Sequence, residues 1–147
     1  MDIKDVLSLN CVCCAIEGSS KKRVLQTISQ IASENLAGIS SDDVLASLLC
    51  REKMGSTGIG NGIAIPHGRL NGLADTTAIL VSSNSPIEFD AIDNQPVDIF
   101  FTLLVPSDKN EGHLQTLATI AKKLNDKTIV KHIRKATNNQ ALYEALL

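Results

Sequence analysis

No stretch of this 147-residue sequence approaches the roughly 18 consecutive apolar residues that a membrane-spanning helix needs. The opening MDIKDVLSLN carries two acids and no long apolar run, so it does not read as a secretory signal. An excess of positive charge is missing too. The formal charge is −2 and the pI is near 5.9, which argues against electrostatic capture of nucleic acid. Cysteine pairs at metal-ribbon spacing are absent: Cys11, Cys13 and Cys14 crowd into CVCCAI, and Cys50 stands alone. They read as small hydrophobes in a buried strand, with a disulfide disfavoured in a reducing compartment. Internal repeats, linkers and low-complexity tracts are also lacking. These absences point to one cytoplasmic domain over residues 1–147, long enough to bury about 70% of its extended surface.

What is present alternates between two periods. Val24, Leu25, Ile28, Ile31, Ala32 and Leu36 recur at helical spacing, with Ser19 or Ser20 as N-cap and Gly38 as the stop. SSDDVLASLLCREK predicts a second helix, with Ser40 and Asp43 as a capping box. Residues 76–83 and 97–106 read as strands, the second apolar enough to be central and buried on both faces. IAIP (63–66) reads as a shorter strand, and SNSPIEFDAIDNQP as turns around a short extended piece. Three more helices follow, beginning near His113, Asp126 and Asn138 or Asn139. Lys21–Arg23 and the basic residues between Lys122 and Arg134 read as solvated helix faces. Helices on either side of a block of strands predict one α/β domain.

REKMGSTGIGNGIAIPHGR (51–69) fits neither side of that alternation. With the next turn it holds Gly55, Gly58, Gly60, Gly62, Gly68 and Gly72, six of the nine glycines, around His67. The dinucleotide fingerprint fails, because the sixth position is Ile63 counting from Gly58 and Ile65 counting from Gly60. A P-loop fails as well, since Asn61 stands where lysine is required. Glycines also let backbone N–H groups approach an anion. Imidazole is a good nucleophile when neutral, so a histidine at the end of such a loop suits phosphoryl chemistry. The plain alternative is a structural loop with an incidental histidine.

These residues, together with PIEFDAIDNQPVDIFFTLLVP and HLQTLATIAKKL, resemble the enzyme IIA component of the bacterial phosphotransferase system, fructose/mannitol class, and its nitrogen-related branch in particular. The likeness runs from about residue 20 to the C-terminus. It implies a mixed β-sheet flanked by helices on both faces. It further implies a phosphoryl acceptor at His67, charged by a histidine-type phosphocarrier that draws on phosphoenolpyruvate. His113 would be a second active-site histidine, and Arg51 would complete the site. A phosphohistidine intermediate would make the chain a phosphotransferase component rather than a stand-alone enzyme. No cofactor and no metal are implied.

Each position has a plainer alternative. His113 can be an ordinary first-turn residue, Arg51 can pair with Glu52 or Asp43, and Ser56 and Thr57 can cap a turn instead of donating to phosphate beside Gly58, Gly60 and Gly68. Met54, Ile59 and Ile63 are candidates for a docking patch. The expected role is regulation of target proteins by phosphorylation state, without nucleic acid and without membrane embedding. The alternatives are a sugar-transport enzyme IIA feeding a separate enzyme IIB, and a binding module that is never phosphorylated. A His67/His113 metal hydrolase lacks further ligands at readable spacing.

Overall fold

The structure, a computed structural model, describes residues 3–108 and 113–147, the first two residues of the second span by backbone alone. In chain order the elements are β1 (Val12–Ile16), α1 (Lys21–Asn35), α2 (Ser41–Glu52), β2 (Gly58–Gly60), β3 (Ile63–Ala64), β4 (His67–Leu70), β5 (Thr77–Ile87), β6 (Val97–Pro106), α3 (His113–Leu124), α4 (Lys127–Lys135) and α5 (Asn139–Leu146). Caps expected from the sequence are made. Ser20 accepts from the Arg23 N–H, Ser40 from Asp43, Asp126 from Thr128 and Ile129, and Asn138 from Ala141. Each such cap contributes about 1 kcal/mol.

The six strands form one mixed sheet in the order β1-β5-β6-β3-β2, with β4 also pairing β6. β5 and β6 are antiparallel, while β3 and β4 run parallel to β6. Because side chains alternate along a strand, β6 serves two cores. Phe100 and Leu104 join Val24, Leu25, Ile28, Val44 and Leu48 of α1 and α2 on one face. Ile99, Phe101 and Leu103 meet Ile120, Leu124, Ile133 and Leu142 of α3, α4 and α5 on the other. The predicted α/β architecture, helices on both faces of a mixed sheet, is what forms.

Several local expectations are corrected. Within CVCCAI the strand begins at Val12, after Cys11, and it lies at the sheet edge; Cys11 and Val12 are buried, while Cys13 and Cys14 are only half-buried. α1 ends at Asn35, before Gly38, which instead takes φ +74 in the turn beyond. β5 runs on through SNSPI, where turns were expected. Its register against β6 shifts between Ser82 and Ile87, and this irregularity accommodates Pro86, which has no N–H to give.

Residues 63–70 follow one edge of β6 in two pieces, Ile63 and Ala64 opposite Ile99 and Phe100, then His67–Leu70 opposite Leu103–Pro106. Pro66 breaks the ladder, although its carbonyl still accepts from the Leu103 N–H at 2.9 Å. His67 is therefore the first residue of a strand, not the end of a loop. Among the described residues no helix is long and apolar enough to cross a membrane.

Candidate functional site

Arg51 lies in the last turn of α2, and His67 opens β4 beside it. The His67 Nδ1 atom is 2.9 Å from the Ile65 carbonyl oxygen. A carbonyl only accepts, so Nδ1 carries the proton and Nε2 presents a lone pair. Nε2 receives a hydrogen bond from Arg51 Nε at 3.1 Å. The same guanidinium donates through Nη1 to the Gly55 carbonyl at 2.8 Å. One arginine thus ties α2, the turn that follows it and the histidine together. Among the described residues it pairs with neither Glu52 nor Asp43.

Burial pushes the His67 imidazole below its ordinary value near 6.5; the Arg51 cation acts in the same direction, opposed by the Ile65 carbonyl and the Glu52 carboxylate. Glu52 is itself nearly buried, its side chain 5% exposed. It accepts from the Thr57 N–H at 3.2 Å, from the Thr57 hydroxyl and from Lys21 Nζ at 2.9 Å. Lys21 also sits 4.5 Å from the Phe89 ring centroid. Contrary to the solvated-face reading, Lys21 helps to fix residues 52–57, and through Arg51 and Gly55 the setting of His67.

Two of the glycines permit close contacts and a third a positive φ. A Cβ on Gly68 would press into Ser47 of α2, whose hydroxyl donates to the Arg69 carbonyl at 2.8 Å. A Cβ on Gly58 would stand 2.7 Å from that of Ala91, and the Gly58 N–H already donates to Ser56 Oγ at 3.0 Å. Gly60 is kept by its backbone, with φ +99. The side-chain hydroxyls are engaged as well: Ser56 donates to the Phe89 carbonyl at 2.6 Å, and Thr57 to Glu52. Both act as turn-fixing groups in this structure.

A cavity of about 330 Å³ opens beside His67, lined by Arg51, Thr57, Ile59, Ile65 and His67 and by Leu117 of α3. His113 is the first residue of α3, and its side chain lies outside the described residues. Ile63 is 2% exposed and cannot belong to a docking patch, whereas Met54 and Ile59 are exposed at 80% and 43%. Ile92, which sequence reading passed over, is 83% exposed and packs toward Gly60. Also missed were the Ile65 carbonyl, which has no sequence signature, and Glu52, which looked like one more charge at a helix end. Among the described residues no three His, Cys, Asp or Glu side chains are grouped to hold a metal.

The geometry can be set against known proteins. A nitrogen regulatory protein of Klebsiella oxytoca is 49% identical, the alignment covering 99% of this chain and 90% of the relative. One from Escherichia coli K12 is 46% identical over the same shares. The crystal structure of nitrogen regulatory protein IIA-Ntr from Neisseria meningitidis superposes with a TM-score of 0.91 at 34% identity, covering 99% of both chains. A model of the family described as phosphoenolpyruvate-dependent sugar phosphotransferase system, EIIA 2, matches residues 5–147. The chain belongs to that EIIA 2 family of the phosphotransferase system.

Proposed function

We propose that His67 accepts a phosphoryl group on Nε2 from a histidine-type phosphocarrier in the cytoplasm, and that the phosphorylated and unphosphorylated forms bind regulated proteins differently. The observation that carries this reading is the division of labour on the imidazole: Nδ1–H is held by the Ile65 carbonyl while Nε2 meets Arg51, and both residues line an open cavity. The Nε2 lone pair attacks the phosphorus of the carrier's phosphohistidine. The carrier's N–P bond breaks, and its electron pair returns to the carrier's ring. Positive charge left on the His67 ring is shared with the Ile65 carbonyl through Nδ1–H. Arg51 moves its donors from Nε2 to two phosphoryl oxygens, a fork geometry that lysine lacks. The lowered pKa favours the neutral acceptor at pH 7.

Met54 and Ile59 are two of the five exposed large apolar side chains among the described residues, and both stand on the segment 51–59 that lines the cavity. A macromolecular donor fits such a rim better than a small metabolite does. Phosphorylation then adds close to two negative charges at its centre, repelling acidic partners and attracting arginine-lined ones. Regulation is preferred to sugar relay because the relatives at 46–49% identity carry the nitrogen regulatory name. The test is intact-protein mass after incubation with phosphoenolpyruvate, enzyme I and the carrier. One acid-labile phosphoryl adduct is expected on the wild type and none on His67→Ala. No adduct from a competent relay would leave only the binding-module reading.

A further inference from the structure

Glu52 places a carboxylate close to the acceptor, although a phosphoryl group brings negative charge of its own. Its side chain is nearly buried, and its charge reaches the His67 imidazole. The local bonding shows why a carboxylate stands there. Oε1 accepts from the Thr57 N–H at 3.2 Å and from Lys21 Nζ at 2.9 Å, while Oε2 accepts from the Thr57 hydroxyl. Both oxygens are acceptors, a pattern that a glutamine side chain does not offer. The turn after α2 is therefore fixed by an anion, one residue from the arginine that meets His67. An anion at that place opposes a phosphoryl group on the imidazole.

Lys21 meets that charge. Its Nζ also donates to the Phe89 carbonyl at 3.5 Å and lies 3.9 Å from Asp90 Oδ2. Asp90 is 85% exposed and screened by water, whereas the contact with Glu52 is shielded. Neither Lys21 nor Glu52 lines the cavity beside His67, so neither touches a group carried there. Fixing a turn needs only hydrogen bonds; neutralising Glu52 needs a cation held against it. Resting on the reading of His67 as phosphoryl acceptor, we propose that Lys21 is a positioning residue that acts through Glu52. It cancels the carboxylate's charge, so that the anion holding the turn does not oppose phosphohistidine formation beside it.

The test sets two substitutions against each other. Lys21→Met keeps an unbranched stem beside Phe89 and removes the cation. Glu52→Gln removes the anion and keeps an acceptor for the Thr57 N–H, with the Thr57 hydroxyl turned to accept from the amide. The measurement is the phosphoryl-transfer equilibrium between the carrier and the full chain, approached from both directions and read by ³¹P NMR. The equilibrium constant for phosphorylated His67 should fall about tenfold in Lys21→Met, rise in Glu52→Gln, and return to within about threefold of wild type in the double variant. A second readout needs no donor: the His67 titration should move up in Lys21→Met, down in Glu52→Gln, and back in the double variant. Bracing alone would lower the constant in both single variants and leave the double variant no better than Lys21→Met, and that result overturns the proposal. Should Lys21→Met fail to fold, Glu52→Gln decides by itself, a raised constant supporting the proposal and a lowered or unchanged one overturning it. A wild type that takes no phosphoryl group would overturn the acceptor reading and this one with it. A competent wild type with an unmoved Lys21→Met would overturn this one alone.

Discussion

The central strand β6 and the segment from Arg51 to Leu70 lie side by side and are built on opposite plans. Nearly every residue of β6 is buried, and its neighbours are side chains: Phe100 against Phe89, Phe101 and Leu103 within the α3–α5 core. In 51–70 the decisive neighbours are backbone atoms. Arg51 reaches the Gly55 carbonyl, His67 the Ile65 carbonyl, Ser56 the Phe89 carbonyl, and Gly68 lies against α2. Apolar burial holds the fold, whereas close backbone approach and a few charge-assisted bonds hold the imidazole. Losses of stability and losses of chemistry should therefore come from different residues.

Phe101→Ala is the strongest test of that division. Emptying a fully buried aromatic site costs about 3–5 kcal/mol, and Phe101 is 0% exposed. Chemical denaturation should show this loss, while folded material still accepts phosphate. Gly68→Ala sits between the two plans. The added methyl must displace Ser47, at about 1–3 kcal/mol for overpacking, and because Gly68 adjoins His67 the phosphoryl-transfer rate should fall with it. If stability dropped and the rate did not, α2 would not set the histidine's position. Arg51→Lys lies at the far end. Stability should change by no more than about 1 kcal/mol, while rapid-quench assays should show transfer slowed about tenfold or more, since one charge replaces a two-pronged donor.

The same contrast explains what the sequence made legible. β6, α1 and the C-terminal helices bury apolar faces, and period and caps such as Ser40 and Asp126 marked them. β2 and β4 have almost no apolar signal. Gly58, Gly60 and Gly68 suggested a phosphate-receiving loop; in the structure they stand in short strands, Gly58 close against Ala91 and Gly68 against α2. The sequence pointed to His67 through its glycine-rich setting and to Arg51 through the family resemblance, and the structure brings them to 3.1 Å. It could not show that Glu52 and Lys21 brace them from a nearly buried ion pair, because burial of a charge depends on elements remote in sequence, here α1 and the Phe89 segment.

The central claim is that the fold reserves Nε2 of His67 for phosphorus by holding the proton on Nδ1. The most direct measurement is long-range ¹H–¹⁵N and ³¹P correlation on the chain labelled at histidine nitrogen, before and after phosphorylation. The account predicts an Nδ1–H tautomer in the free protein and a phosphorus-coupled Nε2 afterwards. A phosphorus-coupled Nδ1 would contradict it, since the Ile65 hydrogen bond would then have to break for the reaction to occur.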